Sequence, residues 1–186
     1  MSNLATYSYT VFNQFVLYCR YLLFNVNPGE GFNLRRDVYL RIANLVHKLN
    51  DIEPWTLVLP PWGNLYHWKN TPRLVFYPWG EFFDIGSLQK WIPVMEFEDF
   101  WNGENGHVDS AYILQNFEDM WEKEWVERYE VAKCFDKQVY RKNSDGKWFN
   151  NLWNRPVIFS NFSCLSFQGM AKTIIPFLTK DIKNSK

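Results

Sequence analysis

The sequence predicts an α/β layered domain, and three observations support this fold class. Two segments of aromatic and branched residues, Tyr21–Val26 and Trp55–Leu59, have the composition of buried strands. Between them, apolar residues recur at the spacing of an amphipathic helix. Strand, helix and strand within about 40 residues predict a βαβ unit with parallel pairing and a right-handed crossover. The third observation is the chain length of 186 residues, which suits one domain.

The first helix is predicted from Asn33 to Leu49. Asn33 has the side chain of an N-cap residue. Pro54 bars further helix and places a connector before the second strand. The predicted core-facing positions of this helix are Leu34, Val38, Ile42, Leu45 and Leu49.

The other elements follow from composition and from breaker residues. Residues 1–19 show no strong period and are expected to be a leader or an extension, and residues 181–186 a tail. Further strands are predicted at Arg73–Tyr77, Pro93–Phe97 and Ser110–Leu114. Helical or turn segments are predicted at Glu81–Lys90, Glu118–Val131 and Ser166–Leu178, and a polar surface segment at Lys142–Asn154.

Composition excludes several classes of protein. Lys+Arg and Asp+Glu each number 20, and a nucleic-acid-binding domain would carry a basic excess. No run of 18 apolar residues predicts a membrane span, and no clear secretory signal is visible. The three cysteines lack zinc-site spacing. They fit either one disulfide and a free thiol in a secreted protein, or three buried thiols in a cytosolic one.

The loop between the first strand and the helix is the candidate site. Pro28 ends the strand, Gly29 and Gly31 allow a ligand close to the backbone, and Glu30 lies between the glycines. A helix N-terminus attracts anions such as phosphate, and Glu30 is placed to take a proton from a ligand bound there. The alternative is that Glu30 is a solvated turn residue in an ordinary turn.

Two further features have both a functional and a structural interpretation. Arg35 and Arg36 lie in the first helical turn, where cations oppose the helix dipole, so they either contact an anionic group or are simply exposed. His67 lies in a loop after the second strand and either faces a ligand or is structural.

Four blocks of this sequence, in this order, resemble the GDP-fucose protein O-fucosyltransferases that modify thrombospondin type 1 repeats. The blocks are RYLLFNVNPGEGFNLRRDVYLRIANL, LVLPPWGNLYHW, PWGEFFDIGSL and NFSCLSFQG. The resemblance covers roughly Arg20 to Leu178. It implies the N-terminal Rossmann-like half, residues 20–180, of a two-domain GT-B-type glycosyltransferase whose C-terminal donor-binding domain is absent from this chain.

The resemblance also implies a reaction and a site. The family transfers fucose from GDP-fucose to a Ser or Thr hydroxyl with inversion, without a metal ion, in the endoplasmic reticulum. Glu30 matches the family's proposed base, and Gly29, Gly31, Phe32 and Asn33 match positions that line the donor site. This sequence departs from the family at Gly29, where the family has proline, so its loop is expected to be less stiff.

The same resemblance implies a disulfide between Cys134 and Cys164 and a glycan on Asn161. Because the family's nucleotide-binding arginine segment belongs to the C-terminal half, a second hypothesis is a non-catalytic half-domain that binds a client or partner. A third, weaker one is a cytosolic nucleotide-binding protein.

Overall fold

The computed structural model describes residues 3–9, 19–26, 30–65, 68, 75–119, 124–135 and 141–180. These residues form one sheet with helices packed against it. The strands are β1 Asn3–Tyr9, β2 Cys19–Asn25, β3 Trp55–Leu59, β4 Val94–Glu96, β5 His107–Gln115, β6 Arg128–Ala132, β7 Arg141–Lys142, β8 Trp148–Leu152 and β9 Arg155–Gln168. The helices are α1 Phe32–Leu49, α2 Ile85–Gln89, α3 Phe97–Glu104 and α4 Ile175–Leu178.

The strands are ordered β4-β3-β2-β1-β5-β9-β8-β7, and β6 pairs with β9. Parallel pairs join β2 to β3, β3 to β4 and β5 to β9, whereas β1 runs antiparallel to both of its neighbours. The predicted βαβ unit is therefore confirmed, and the mixed α/β sheet fits a Rossmann-like half-domain.

Both faces of the central strands are covered. On β2 and β3, Leu22 and Leu57 belong to the core cluster that includes the buried face of α1, whereas Leu23 and Val58 belong to the cluster that includes α3. Successive side chains of a strand point to opposite faces, so this division follows from the pleat. Strands buried on both faces are continuously apolar, as the sequence of Trp55–Leu59 is.

The end of α1 is fixed to the start of β3 by one side chain. The amide of Asn50 donates to the carbonyls of Val46 and Trp55, at 2.9 and 3.0 Å, and its oxygen accepts from the Trp55 N–H at 2.9 Å. These bonds satisfy backbone groups that the helix end leaves free and set the short connection between the two elements.

The core-facing side of α1 differs from the prediction at its first position. Leu34 is 57% exposed, whereas Leu45 and Leu49 are buried and Val38 and Ile42 are partly buried against the core. The remaining buried positions of the helix are Tyr39, Ala43 and Val46. The prediction for Leu34 is wrong because the buried line Tyr39, Ala43 and Val46 continues one turn earlier to residue 35, so Leu34 lies on the solvent side of the first turn.

Several other elements also depart from the prediction. Asn3–Tyr9, within the segment expected to be a leader, is the strand between β2 and β5. Tyr77 makes a single bridge with Trp62, so the described part of Arg73–Tyr77 contains no continuous strand. In the predicted helical segment Glu118–Val131, the described residues are turn, irregular chain and the start of β6.

The C-terminal third also contains more strand than its polar sequence suggests. Lys142–Asn154 includes β8 rather than only surface loop, and Leu152 is buried. The segment Ser166–Leu178 begins as the end of β9, and only after Gly169 does it become a 3-10 turn and the short α4. The predictions at Pro93–Phe97 and Ser110–Leu114 are confirmed by β4 and β5.

Candidate active site

Glu30 lies at the carboxyl-terminal edge of the parallel strands. β2 ends at Asn25, β3 ends at Leu59, and α1 begins at Phe32 directly after Glu30 and Gly31. Ligands of open α/β sheets bind at this edge, outside the ends of parallel strands. Glu30 is half-buried, and its Oε2 atom is shielded from solvent.

The start of α1 differs from the prediction. Gly31, not Asn33, is the N-cap residue, and Asn33 is an exposed residue of the first turn. Gly31 has φ −75° and ψ 172°, an ordinary extended conformation that needs no glycine. Gly31 has no side chain that could cap the helix end, and the first turn contains no acidic residue. The amides of the first turn therefore keep their capacity to donate to a ligand.

The loop residues 27–29 lie outside the described part of the chain, so the prediction for Gly29 is not tested there. His67 also lies outside the described residues. Of the predicted donor-site positions, the structure describes Gly31, Phe32 and Asn33, which are consecutive at the helix start.

A wall of aromatic side chains stands beside the start of α1. Phe32 stacks on Trp62 with ring centroids 4.6 Å apart, and on Phe83 at 5.9 Å. Trp62 and Trp79 are buried with centroids 5.1 Å apart. We define Phe32, Trp62, Trp79 and Phe83 as the aromatic wall. Phe32 is 36% exposed, so the wall presents an aromatic surface next to Glu30.

Polar contacts fix this wall in place. The indole N–H of Trp79 donates to the Pro60 carbonyl at 2.7 Å. The carboxylate of Glu96 accepts from the backbone N–H groups of Trp79 and Gly80, at 3.1 and 2.8 Å. Sequence reasoning missed these partners, although the triplet Pro-Trp-Gly occurs at both tryptophans and could have indicated that the two turns meet.

Val75 and Phe76 pass so close to the residue after Trp62 that this residue, Gly63, must be a glycine. A Cβ atom on Gly63 would lie 2.8 Å from the backbone oxygen of Val75 and 2.5 Å from the ring of Phe76. Gly63 therefore permits the segment before Tyr77 to pass close behind the aromatic wall.

The small pocket at this edge connects the wall to the start of α1. It is lined by Phe24, Asn25, Val26, Arg35, Pro60, Trp62, Trp79 and Trp153, and its volume is about 10 Å³. That volume holds one water molecule at most, whereas pockets for ligands of nucleotide-sugar size enclose roughly 300 Å³ or more. This pocket by itself is too small to enclose a nucleotide sugar.

The two arginines of the first turn have different surroundings. The Nε–H of Arg35 donates to the backbone carbonyl of Glu30 at 3.3 Å. Burial lowers the pKa of the Arg35 guanidinium, and the Glu30 carboxylate opposes this shift by raising it. Arg36 is half-exposed and forms an ion pair with Asp37 at 3.5 Å. The sequence singled out both residues; among the described residues, Arg35 contacts Glu30 in the loop, whereas Arg36 pairs with Asp37.

The implied cysteine pair is present in the structure. Cys134 and Cys164 form a disulfide with their Cα atoms 5.2 Å apart. It links the residue two positions after β6 to β9. Asn161 is exposed on β9, and its amide donates to the Asp109 carbonyl at 3.4 Å.

The described residues lack two kinds of feature. They contain no group of three or more His, Cys, Asp or Glu side chains placed to hold a metal ion. No helix among them is both long enough and apolar enough to cross a membrane.

Comparison with known proteins identifies the family. Residues 21–184 match the family described as GDP-fucose protein O-fucosyltransferase. The chain belongs to this family. Among the O-fucosyltransferases most similar to it are proteins named GDP-fucose protein O-fucosyltransferase 2 from Homo sapiens and Caenorhabditis elegans, 45% identical over 166 residues and 43% over 159. The protein of that name from Drosophila melanogaster is 35% identical over 175 residues.

These alignments cover most of this chain and a minority of each relative. They span 87% of this chain and 39% of the human protein, and 83% of this chain and 37% of the Caenorhabditis protein. The segment of this chain that matches the O-fucosyltransferase family contains Glu30, the aromatic wall and the disulfide. It corresponds to about two fifths of the length of these relatives.

Proposed function

We propose that this chain is the base-bearing half of a peptide O-fucosyltransferase that transfers fucose from GDP-fucose to a Ser or Thr hydroxyl, with inversion at the sugar carbon. The observation that carries the proposal is the position of Glu30. Its carboxylate lies at the carboxyl-terminal edge of the parallel strands, beside a helix start and an aromatic wall, in a chain of the O-fucosyltransferase family.

The proposed chemistry uses one carboxylate. The acceptor hydroxyl oxygen forms a bond to the fucosyl anomeric carbon while the bond from that carbon to the β-phosphate oxygen breaks. The hydroxyl proton passes to Glu30, and the electron pair of the broken bond leaves with GDP. An alcohol is a weak nucleophile until its proton has an acceptor, which is the role of Glu30. The diphosphate is already a good leaving group, so no second acid is required, and we propose that no metal ion takes part.

The donor would lie between this half and a second lobe in a two-domain GT-B arrangement. The small pocket that the described residues form at this edge cannot enclose a nucleotide sugar, and the leaving diphosphate needs donors or cations on its other side. In the proposal the amides at Phe32 and Asn33 contact the donor, the exposed ring of Phe32 faces it, and Gly29 and Gly31 are further positions of the donor site.

We further propose folded thrombospondin type 1 repeats as acceptors and the endoplasmic reticulum lumen as the compartment. The support for the compartment is chemical. A disulfide such as Cys134–Cys164 persists in an oxidising environment, and Asn161 is exposed in a glycosylation sequon. Mass spectrometry of the peptide containing Asn161, before and after enzymatic glycan removal, tests whether Asn161 carries a glycan.

The function is tested with a chimeric enzyme. Residues 20–180 of this chain replace the matching segment of the human O-fucosyltransferase, and the product is incubated with GDP-fucose and a folded thrombospondin repeat. The proposal predicts fucose on the repeat, detected by mass spectrometry, with the unmodified human protein as the positive control. A chimera that folds and binds GDP but transfers no fucose would overturn the proposal.

The 186-residue chain is assayed alone in parallel. If it binds the repeat without transferring fucose while the chimera is active, this half acts in catalysis only together with a second lobe. If the chimera is inactive and the chain alone still binds the repeat, the non-catalytic half-domain is the better account.

A further inference from the structure

Arg35 occupies a position that is unfavourable for a cation. It lies in the first turn of α1, where the positive end of the helix dipole repels positive charge. Its side chain is partly buried, and that burial lowers the pKa of the guanidinium. Both effects disfavour a charged arginine here, so a compensating contact is expected.

The compensating contacts join Arg35 to the loop that carries Glu30. Its backbone N–H donates to the Gly31 carbonyl at 3.1 Å, the first hydrogen bond of the helix. Its Nε–H donates to the Glu30 carbonyl at 3.3 Å. One residue thus binds the carbonyls of Glu30 and Gly31, two consecutive peptide units. The negative charge of the Glu30 side chain attracts the same guanidinium.

Arg35 also faces the small pocket at the end of β2. Together with Asn25 and Val26 it lines the small pocket at the strand edge. Arg35 therefore lies between the last residues of the strand and the first residues after the loop, and it contacts the loop from the helix side. A planar guanidinium donates in fixed directions, whereas a lysine ammonium rotates freely at the end of its stem.

We propose that Arg35 is a positioning residue: it holds the backbone at Glu30 so that the carboxylate is directed at the acceptor hydroxyl. This inference rests on the proposed function.

Arg36 provides a matched control. It is the same residue type, one position along the same helical turn, and it is half-exposed with Asp37 as its ion-pair partner. Replacing either arginine by glutamine removes one positive charge from the start of α1. Only the Arg35→Gln change removes the bond to the Glu30 carbonyl, so a difference between the two variants reports that contact and not charge or helix propensity.

The first measurement is hydrogen exchange on the 186-residue chain. In Arg35→Gln, the amides of residues 35 and 36, the first of which donates to the Gly31 carbonyl, are expected to exchange about tenfold faster after correction for intrinsic rates, the factor for loss of one charge-assisted hydrogen bond. In Arg36→Gln the same amides are expected to exchange at the wild-type rate. Equal exchange in the two variants would overturn the proposal, and this result does not depend on any transfer activity.

The second measurement is transfer by the chimeric enzyme. Arg35→Gln is expected to lower kcat on the order of 10²-fold, the effect of a misplaced catalytic group, with KM for GDP-fucose changed less than about threefold. Arg36→Gln is expected to stay within about twofold of wild type, and Arg35→Lys to recover only part of the loss. A rise in KM with kcat unchanged would overturn the positioning role. An inactive wild-type chimera would instead overturn the proposed function, and the exchange result would still decide whether Arg35 restrains the loop.

Discussion

Removing the disulfide is expected to lower the thermal stability of this domain substantially. Cys134 and Cys164 are 30 residues apart in sequence. In the chain-entropy model a loop of that length lowers the entropy of the unfolded chain enough to stabilise the fold by about 3.6 kcal/mol. For a domain of this size each kcal/mol corresponds to roughly 2–4 °C, so Cys134→Ser should lower Tm by about 7–14 °C.

Cys134 is the better residue to change. Cys164 is 1% exposed, and a serine there would also bury a hydroxyl and confuse the comparison, whereas Cys134 is half-buried. Thermal unfolding is followed by circular dichroism, with and without reductant. Reduction should bring wild type close to the Tm of Cys134→Ser and leave the variant's Tm unchanged. A Cys134→Ser variant with the same Tm as oxidised wild type would refute the reasoning.

Two further changes test the packing and electrostatics around the site. Gly63→Ala should cost about 1–3 kcal/mol, since its Cβ would lie 2.8 Å from the Val75 backbone oxygen. Gly103→Ala, in α3 with no atom within 4 Å of the added Cβ, should be neutral or stabilising, and equal urea midpoints for the two variants would contradict this. Burial raises the pKa of Glu53 above its ordinary value of 4.5, against the opposing charge of Arg20. The folded state therefore holds that proton more tightly, and wild type should gain stability relative to Glu53→Gln as pH falls from 7 towards 4.5. A stability difference that is constant across this range would contradict the assignment.

The part of the fold that could be predicted from the sequence is the part set by local signals. The alternation of a strand, breakers, a helical period and a second strand defines Tyr21–Leu59, and the structure confirms it. The prediction for Leu34 is wrong because the apolar spacing fixes the buried face only to within one residue, and the observed face is centred on Tyr39, Ala43 and Val46. The strand Asn3–Tyr9 is missed because its place is determined by two distant partners, β2 and β5.

The same distinction explains the errors nearer the C-terminus. Arg128–Ala132 carries a weak helical pattern, but five consecutive pairings with β9 make it a strand. The polar composition of the surrounding stretch conceals the strand Trp148–Leu152. Its pairing with β9 across a two-residue turn makes it a strand. In that turn, Trp153 and Asn154 both have positive φ, which Asn tolerates well and which is rare for Trp.

In the site, the sequence could locate Glu30 but not its surroundings. A strand end, a proline and a helix start place the carboxylate at a loop between two elements, and each of these signals is local. The contacts of Trp79 with Pro60 and with Glu96 join segments 17 to 19 residues apart, and no local rule specifies them. The residues alone left the cysteine pairing open, and only the resemblance indicated Cys134–Cys164.

The central claim is that the Glu30 carboxylate accepts the acceptor proton, and the chimeric enzyme with Glu30→Gln tests it most directly. Glutamine keeps the shape of the side chain and cannot take the proton. The account predicts that transfer falls by roughly 10²–10⁴-fold while GDP-fucose binding, measured by calorimetry, is retained, with the exposed Glu118→Gln as control. Transfer within tenfold of wild type in Glu30→Gln would contradict it.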